Sequence, residues 1–404
     1  MTAPARRTRR LGAASTLAVM AALSSLAAAC GSSPRSGATA GTAPLAPPLA
    51  TSVQASGGTW ATVPMGRLDQ PLNTFWQLFF RPEGATSWSD QVGATAAATN
   101  GGLVLASLGG AQLVVGVRPS DLLTFSPLIT TSDAGRSWSD GLVPSGLAAS
   151  PDALALGPNG RALALVRGRA GPELMATSGD LSRWVALASA NELASSPAGR
   201  ACGLQAVTAL GYLAGSALAG ASCRERGVAG VLVLGPAGRW RLAGPPLPPS
   251  LARDQAEVLT LAPGKGGLAA LVASRGTGAQ PGSRFLAAWE GSATAGWRTS
   301  APLQPSRALQ VASVGATGNG GLFVLLSGQA GAEELYIVAG PGSPWRQLAA
   351  PPTGTATVAF GPGATVEALA VDGTVLTVWS LAPRSRAWSK EQVVRVPVQF
   401  GSSS

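Results

Sequence analysis

The sequence predicts an all-β fold, a β-propeller of seven four-stranded blades, on three observations. Trp residues recur about every 50 positions, a period at which propellers and solenoids repeat. A short apolar run bounded by Gly and Pro precedes most of these Trp residues, as is typical of strands. The 53 Gly and 31 Pro among 404 residues suit a fold with many turns. Six or eight blades remain alternatives.

Each recurring Trp follows a turn rich in Gly, Pro or Ser. The series is Trp88, Trp138, Trp184, Trp240, Trp297, Trp345 and Trp388. Brief strands and Pro-marked loops follow, so that one unit reads as three strands, a turn, a fourth strand led by Trp, and a loop. This is the pattern of one propeller blade. Because the first unit is short and the C-terminus is strand-like, we expect the two chain ends to share one blade, which leaves no long open edge.

The most complete turn is the segment 131–138, Thr-Ser-Asp-Ala-Gly-Arg-Ser-Trp. Its Asp can accept bonds from backbone N–H groups of its own turn, and its Gly can adopt a positive φ. The segment resembles the Asp-box, or BNR repeat, of sialidase-like β-propellers, whose pattern is Ser/Thr-x-Asp-x-Gly-x-Ser/Thr-Trp. The resemblance implies a structural role at the propeller periphery for Thr131, Asp133, Gly135, Ser137 and Trp138. A degenerate copy contains Asp180, which we interpret in the same way.

The first 29 residues are interpreted as a bacterial lipoprotein signal peptide, with four Arg before an apolar stretch. Leu26-Ala27-Ala28-Ala29-Cys30 resembles a lipobox, which implies that Cys30 is lipidated. An uncleaved transmembrane anchor is the alternative. Residues 30–57 are mostly Ala, Ser, Gly, Thr and Pro and are predicted to be a disordered linker, because they cannot bury enough apolar surface. The propeller is then expected to span 58–404.

These features predict a protein held by its lipid at the extracytoplasmic face of a cell membrane. Ala, Gly and Arg are used heavily while Lys occurs only at Lys265 and Lys390, which indicates a GC-rich genome and suggests an actinobacterium. The net charge is +10, of which four charges leave with the signal peptide. The remaining excess is spread along the chain without a basic run interleaved with aromatics, so nucleic acid is not an expected partner. The excess suits a protein that faces anionic lipid or wall polymers.

Two Cys remain once Cys30 is assigned to lipidation. Cys202 and Cys223 form an even pair in an oxidising compartment, and we predict a disulfide that staples a hairpin with its turn near Tyr212. Two buried free thiols are the alternative.

The chain contains no His, which excludes Ser-His-Asp and Cys-His nucleophile systems and His-ligated metal sites. No Cys cluster, phosphate loop or dinucleotide fingerprint is present, so neither a cofactor nor a metal is expected. A sialidase needs no His, since that family uses three Arg, a Tyr paired with Glu, and an Asp. Phe80-Arg81-Pro82 resembles the sialidase Phe/Tyr-Arg-Ile-Pro element without its Ile, which implies Arg81 as the first Arg of the triad.

The context argues against such an active site. Arg81 is expected in an outer turn, Tyr212 in a hairpin turn, and Tyr336 in an apolar strand with no carboxylate context. If a ligand binds, propeller geometry favours a channel mouth built by the loops between blades. We expect these loops to contain Arg67, Asp69, Asp152, Glu192, Arg253, Asp254, Glu257 and Arg307. Ordinary solubility of loops is the alternative, and Glu83 and Glu290 near turns are expected to be solvated.

The sequence therefore favours a lipid-anchored, monomeric β-propeller that acts as a non-catalytic binding or assembly scaffold for a protein or a cell-envelope glycan. A sialidase-like glycoside hydrolase or a carbohydrate-binding protein is the alternative. A third possibility is a resemblance to the propeller assembly factors of photosynthetic membranes, which only the Asp-box turn supports.

Overall fold

Twenty-eight β-strands, two short helices and many tight turns make up the described part of the chain in a computed structural model. The described residues are 50–55, 57–67, 74–91, 102–107, 112–117, 127–142, 151–168, 171–177, 181, 183–264, 267–276, 283–291, 296–328, 332–361 and 364–397. The predicted signal peptide, Cys30, Asp69 and Asp180 lie outside them. All described residues belong to one compact unit, Leu45–Ser404.

The strands form seven consecutive units of four. Unit 1 contains β1 (Thr51–Ala55), β2 (Gly58–Gly66), β3 (Thr74–Pro82) and β4 (Ser89–Asp90), and unit 2 contains β5 (Leu103–Ser107), β6 (Leu113–Val117), β7 (Pro127–Thr131) and β8 (Ser139–Leu142). Unit 3 contains β9 (Pro151–Leu156), β10 (Ala162–Gly168), β11 (Gly171–Thr177) and β12 (Trp184–Ser189), and unit 4 contains β13 (Leu204–Leu213), β14 (Ser216–Cys223), β15 (Gly230–Leu234) and β16 (Trp240–Leu242). Unit 5 contains β17 (Gln255–Gly264), β18 (Gly267–Arg275), β19 (Ser283–Glu290) and β20 (Trp297–Thr299). Unit 6 contains β21 (Gln310–Ala316), β22 (Leu322–Ser327), β23 (Glu333–Val338) and β24 (Arg346–Gln347), and unit 7 contains β25 (Thr355–Phe360), β26 (Val366–Asp372), β27 (Val375–Leu381) and β28 (Ser389–Arg395).

Within every unit the four strands pair in chain order as an antiparallel meander. Units 4 and 5 also share one bridge, between Ser222 of β14 and Glu257 of β17. The second strands are buried on both faces, as in β6 and β22. This explains their continuous apolar sequences, because a strand covered on both sides has no polar face to alternate with.

The core is divided into seven hydrophobic clusters, and each lies between two neighbouring units. Six of them join units that follow each other along the chain. The seventh joins unit 7 to unit 1 and includes Phe79, Trp88, Leu369 and Val378. The units therefore close into a ring, which is the β-propeller that the sequence predicts.

The recurring Trp residues occupy one position of this repeat. Trp184, Trp240 and Trp297 begin the fourth strands of their units, and the other four directly precede theirs. Three of the indole N–H groups donate to a carbonyl of the preceding unit: Trp297 to Ala243 (2.6 Å), Trp345 to Ala301 (3.0 Å) and Trp388 to Ala349 (3.2 Å). The Trp spacing therefore marks the start of each fourth strand, and in these three units the indole bonds that strand to the preceding unit.

Two expectations about the ends of the propeller are wrong. β1 lies inside the segment 30–57 that we assigned to the linker, so the first sheet begins at Thr51 rather than after residue 57. Within the described residues the two ends of the chain do not share a blade, since β28 pairs with β27 and unit 1 is completed by β1. The linker composition hid β1, because its sequence Thr-Ser-Val-Gln-Ala resembles the residues before it.

The connection between units 3 and 4 contains α1 (Ala190–Ser195) and α2 (Pro197–Cys202), which the sequence analysis did not predict. Ser189 and Glu192 form a capping box at the start of α1. A disulfide joins Cys202 to Cys223, with a Cα–Cα distance of 5.0 Å, and so closes the base of the β13–β14 hairpin as predicted. Among the described residues, no helix is long and apolar enough to cross a membrane.

Candidate functional site

A cavity of about 670 Å³ lies at the centre of the ring. Its described lining comes mainly from the first strands of units 1 to 6, that is β1, β5, β9, β13, β17 and β21. The first strand of unit 7 lies behind β1: the Ser52 hydroxyl donates to the Val358 carbonyl (2.6 Å), and Ala50 forms a parallel bridge with Ser313 of β21. The cavity is therefore the propeller channel, closed on one side by β1.

The first strands of units 3 to 7 share a feature that the sequence gave no sign of. Each contains a β-bulge at an equivalent level, where one residue has no partner in the second strand. The bulge residues are Asp152, Thr208, Leu259, Ala312 and Ala356. The first three of these line the channel. A bulge turns a side chain out of the strand alternation, so it is a means of aiming residues at a site.

The channel has two mouths, which differ in the strand connections that surround them. At the crossover mouth, the chain passes from the fourth strand of one unit to the first strand of the next. At the hairpin mouth, first strands turn back into second strands, and its rim includes Gln54, Ser107, Tyr212, Gly264 and the loop 317–320.

Apart from Asp69, which lies outside the described residues, the predicted channel-mouth residues lie on the crossover side, but Asp152 is the only one of them among the lining residues described. Arg67 and Arg253 are exposed. Glu192 is tied to the capping box of α1, where the Ser189 backbone N–H holds its pKa below the usual range. Asp254 and Glu257 are buried, and Glu257 pairs along β17 with Ser222.

Buried acids on the crossover side have specific partners. Asp254 accepts hydrogen bonds from Arg284 and from the Ser274 hydroxyl. Glu334 accepts from Arg307 (2.8 Å) and from the Tyr336 hydroxyl (2.7 Å). The sequence analysis missed that Glu334 and Tyr336, two apart on β23, lie on one face of the strand. These acids fasten strands and loops together.

Both Tyr hydroxyls have a raised pKa. Burial, followed by the hydrogen bond to Glu334, raises the pKa of Tyr336 to about 12, and the residue lies in the core between units 5 and 6. Burial also raises the pKa of Tyr212 to about 12. Tyr212 belongs to β13 and lines the channel, whereas we expected it in a hairpin turn. That turn is formed by Ala214 and Gly215, both with positive φ.

Arg81 is the last but one residue of β3 and is buried at the interface of units 1 and 7. Its guanidinium lies 3.2 Å from the Glu367 carboxylate and donates to the Thr59 hydroxyl (2.9 Å). It is therefore in neither an outer turn nor the channel lining described. Glu83 is exposed as expected, but Glu290 is buried rather than solvated.

The turn 131–138 has the internal bonds that its pattern predicts. Asp133 accepts from the Ser137 hydroxyl (2.5 Å) and backbone N–H (2.9 Å), and the Thr131 hydroxyl donates to Asp133 and accepts from the Gly135 N–H. These bonds, the Ser137 hydroxyl first, lower the pKa of Asp133 to about 2. Trp138 then packs edge-on against Trp60 of unit 1, with ring centroids 5.6 Å apart. The turn thus connects units 1 and 2 and lies outside the channel lining.

No group of three or more Cys, Asp or Glu that could hold a metal ion occurs among the residues described. The channel lining offers hydroxyls, amides, apolar side chains and one carboxylate. Such a surface can bind a ligand. The described part of the lining contains no Arg and only one Tyr, whereas a sialidase site needs three Arg.

No protein-family model matches the chain, and no curated protein matches it. Solved structures of β-propeller proteins are similar to it. One is a protein from Lactobacillus plantarum, with a TM-score of 0.51, 12% identity, and coverage of 84% of this chain and 97% of that one. A candidate 6-phosphogluconolactonase from Bacteroides uniformis has a TM-score of 0.50, 12% identity, and coverage of 85% and 98%. YCF48 from Cyanidioschyzon merolae has a TM-score of 0.47, 13% identity, and coverage of 85% and 98%. At these identities the similarity shows the fold alone: the chain is a β-propeller.

Proposed function

We propose that this protein is a lipid-anchored, extracytoplasmic β-propeller that binds a protein or glycan partner without catalysis, as a binding or assembly scaffold. The observation that carries the proposal is the channel of about 670 Å³, whose size is within the range of about 300–1,000 Å³ usual for ligand sites. The Cys202–Cys223 disulfide supports an oxidising compartment. The Asp-box turn supports kinship with BNR-repeat propellers, and the Lys-poor composition supports an actinobacterial source.

The experiment that tests the binding role uses the full-length protein in its native membrane. Surface crosslinking should capture a partner, and a glycan array should be probed with the detergent-extracted protein. Cys30→Ser should release the protein from the membrane fraction, because it removes the acylated atom. A Cys30→Ser protein that stays in the membrane would contradict the lipid anchor.

A sialidase-like hydrolase is the alternative, and it requires three Arg, a Tyr and carboxylates at one place. Arg81→Ala is a poor test of it, since Arg81 is buried in an ion pair between units 1 and 7. Asp152→Asn is a sharper test because Asp152 is the lining carboxylate described. Turnover of a fluorogenic sialoside that disappears in Asp152→Asn would overturn the non-catalytic proposal.

A further inference from the structure

At the hairpin mouth, the ring of Tyr212 is held against the backbone of the neighbouring unit. A Cβ added to Gly157 would lie 2.7 Å from two ring carbons of Tyr212, so the ring occupies the space that this glycine leaves. Tyr212 also packs at the edge of the core between units 3 and 4, while it lines the channel. The sequence Leu156-Gly157-Pro158 thus supplies a rigid seat for an aromatic platform.

Polar groups with fixed positions surround this mouth. The side-chain amide of Gln54 donates to the Thr59 hydroxyl and to the Phe360 carbonyl, both at 2.9 Å. Both amide hydrogens are thereby directed away, and the carbonyl oxygen Oε1 is the group that can accept from a ligand. These two hydrogen bonds fix the position of the Gln54 Oε1 at the rim.

The loop 317–320 provides a second polar edge. Thr317 accepts from the Gly321 N–H (3.0 Å), and the Trp289 indole of unit 5 donates to the Gly320 carbonyl (3.0 Å). These bonds hold the loop, which presents the exposed amide of Asn319. An amide supplies both donors and an acceptor at one place.

Among the rim residues that the structure describes, the polar groups of the hairpin mouth are neutral. The lining residues described contain one charged side chain, Asp152, which is near the start of β9, whereas the rim lies where first strands end. Arg161 is near enough for its charge to act on Tyr212, but it is exposed and is not part of the lining.

From this arrangement we propose that the hairpin mouth binds a neutral saccharide, with Tyr212 as the stacking platform and with Gln54 and Asn319 bonding its hydroxyls. The C–H face of a sugar ring is apolar and slightly positive, so it suits the negative face of an aromatic ring. The Asn319 amide can both donate and accept, and the Gln54 Oε1 can accept, which matches the dense hydroxyls of a sugar. This inference rests on the glycan form of the proposed function.

The described charges and polar groups of the rim favour a neutral saccharide over an anionic sugar and over a purely apolar ligand. An anionic sugar would be recognised by guanidinium groups within the site, as carboxylates usually are. A purely apolar ligand would cover the Gln54 Oε1 and the Asn319 amide without bonding to them, at the cost of their desolvation.

The test is titration calorimetry of the detergent-extracted full chain with cellobiose, maltose and mannobiose, and with sialyllactose as the anionic counterpart. At least one neutral disaccharide should bind, with an affinity that does not change between low and high salt. Tyr212→Leu should weaken it about tenfold, and Tyr212→Phe by less than about threefold, because stacking needs the ring and not the hydroxyl. Arg161→Gln is the matched control and should leave the affinity unchanged.

Tyr212→Leu could fail by unfolding, so Asn319→Ala is the second variant. Asn319 is exposed on its loop, and its truncation should weaken the sugar several-fold while the melting temperature stays constant. Binding of sialyllactose alone, lost in Arg161→Gln, would overturn the neutral ligand. Absence of binding by all three neutral sugars would overturn the inference, and crosslinking of a protein partner in the same preparation would show that the proposed function survives it.

Discussion

Units 4 and 5 follow each other along the chain, and their sheets are linked by the bridge between Ser222 and Glu257. Their shared cluster is apolar and includes Leu218, Val231 and Val258. Units 7 and 1 meet without a covalent connection. Both interfaces have an apolar cluster and directional hydrogen bonds, but the interface of units 7 and 1 adds a buried ion pair.

The polar contacts of the closing interface converge on Trp88. Its indole donates to Glu367 (3.1 Å), which also faces Arg81 at 3.2 Å. The Gln392 side chain accepts from the Trp88 N–H (2.7 Å) and donates to its carbonyl (2.8 Å). In units 5, 6 and 7 the equivalent Trp bonds to a plain carbonyl of the preceding unit. In unit 1 the preceding unit in space is unit 7, and a charged acceptor replaces the carbonyl.

The difference follows from chain connectivity. The contact from Trp297 to Ala243 spans 54 residues, whereas that from Gln392 to Trp88 spans 304. Loop-closure entropy grows with the logarithm of length, by about 0.6 kcal/mol per doubling, so the closing contact costs about 1.5 kcal/mol more. One or two net hydrogen bonds offset that amount. Directional bonds also fix which strands of the two chain ends face each other, which an apolar cluster alone specifies weakly.

The largest effect is expected when the closing ion pair is broken on the acidic side. Glu367→Leu leaves the Arg81 guanidinium buried at 4% exposure without its carboxylate, and Arg cannot lose its charge. We expect the free energy of unfolding to fall by about 3–5 kcal/mol, measured by urea denaturation.

The double variant Arg81→Met/Glu367→Leu is the control, because it removes both charges and replaces them with apolar volume. It should recover most of the loss. If the double variant instead loses as much unfolding free energy as the two single variants together, the pair does not act as a unit.

The disulfide should rank second. Cys202→Ala/Cys223→Ala opens a loop with a sequence separation of 21, and the unfolding free energy should fall by about 3 kcal/mol. The disulfide joins α2 to β14 of unit 4 and does not touch the contacts between units 7 and 1. Combining the double Cys variant with Glu367→Leu should therefore give additive losses of unfolding free energy. A reductant should reproduce the effect in the wild type and leave the double Cys variant unchanged.

The sequence predicts the repeat well because one residue type, Trp, recurs at the same position of every unit. Trp88 to Trp388 each lead a fourth strand and pack at the interface with a neighbouring unit, so their spacing carries the blade period. The pattern of Thr131, Asp133 and Gly135 likewise encodes its own turn, since all of its bonds are local.

The channel could not be predicted in the same way. Which side chains line it depends on bulges, such as the one at Asp152, that shift the register of a strand without a composition signal. The seat of Tyr212 depends on Gly157, a residue of another unit. Two features were within reach: the Ser189-x-x-Glu192 capping box predicts α1, and Glu334-x-Tyr336 on a strand predicts their contact.

The Trp positions themselves can be compared. Trp88→Phe removes a hydrogen bond to a carboxylate and replaces the indole that lies 5.5 Å from the Arg81 guanidinium with a smaller ring, whereas Trp388→Phe removes a bond to the Ala349 carbonyl. Bonds to charged groups are the stronger ones, so Trp88→Phe should cost about 1 kcal/mol more. Urea denaturation of both variants measures the difference, and equal losses would remove the distinction between the two interfaces.

The smallest effect is a difference in pH dependence between two carboxylates. Hydrogen bonds in the 131–138 turn lower the pKa of Asp133 from 3.8 to about 2, so its contribution to stability is present above pH 3.8 and is lost as the pH falls toward about 2. Asp133→Asn should therefore be less stable than the wild type at neutral pH, and the difference should shrink over that window.

The contribution of Glu367 to stability changes with pH in the opposite direction. Its burial outweighs the attraction of Arg81 and raises its pKa above 4.5, so its contribution is present below pH 4.5 and is lost as the pH rises through the folded-state value. Relative to the wild type, Glu367→Gln should therefore gain stability as the pH rises above 4.5, while Asp133→Asn loses it as the pH rises through 3.8. Urea denaturation of both variants across pH 3 to 7 measures the two slopes. Slopes of the same sign would mean that Arg81 dominates the environment of Glu367, and that the closing interface holds an ordinary ion pair rather than a carboxylate strained by burial.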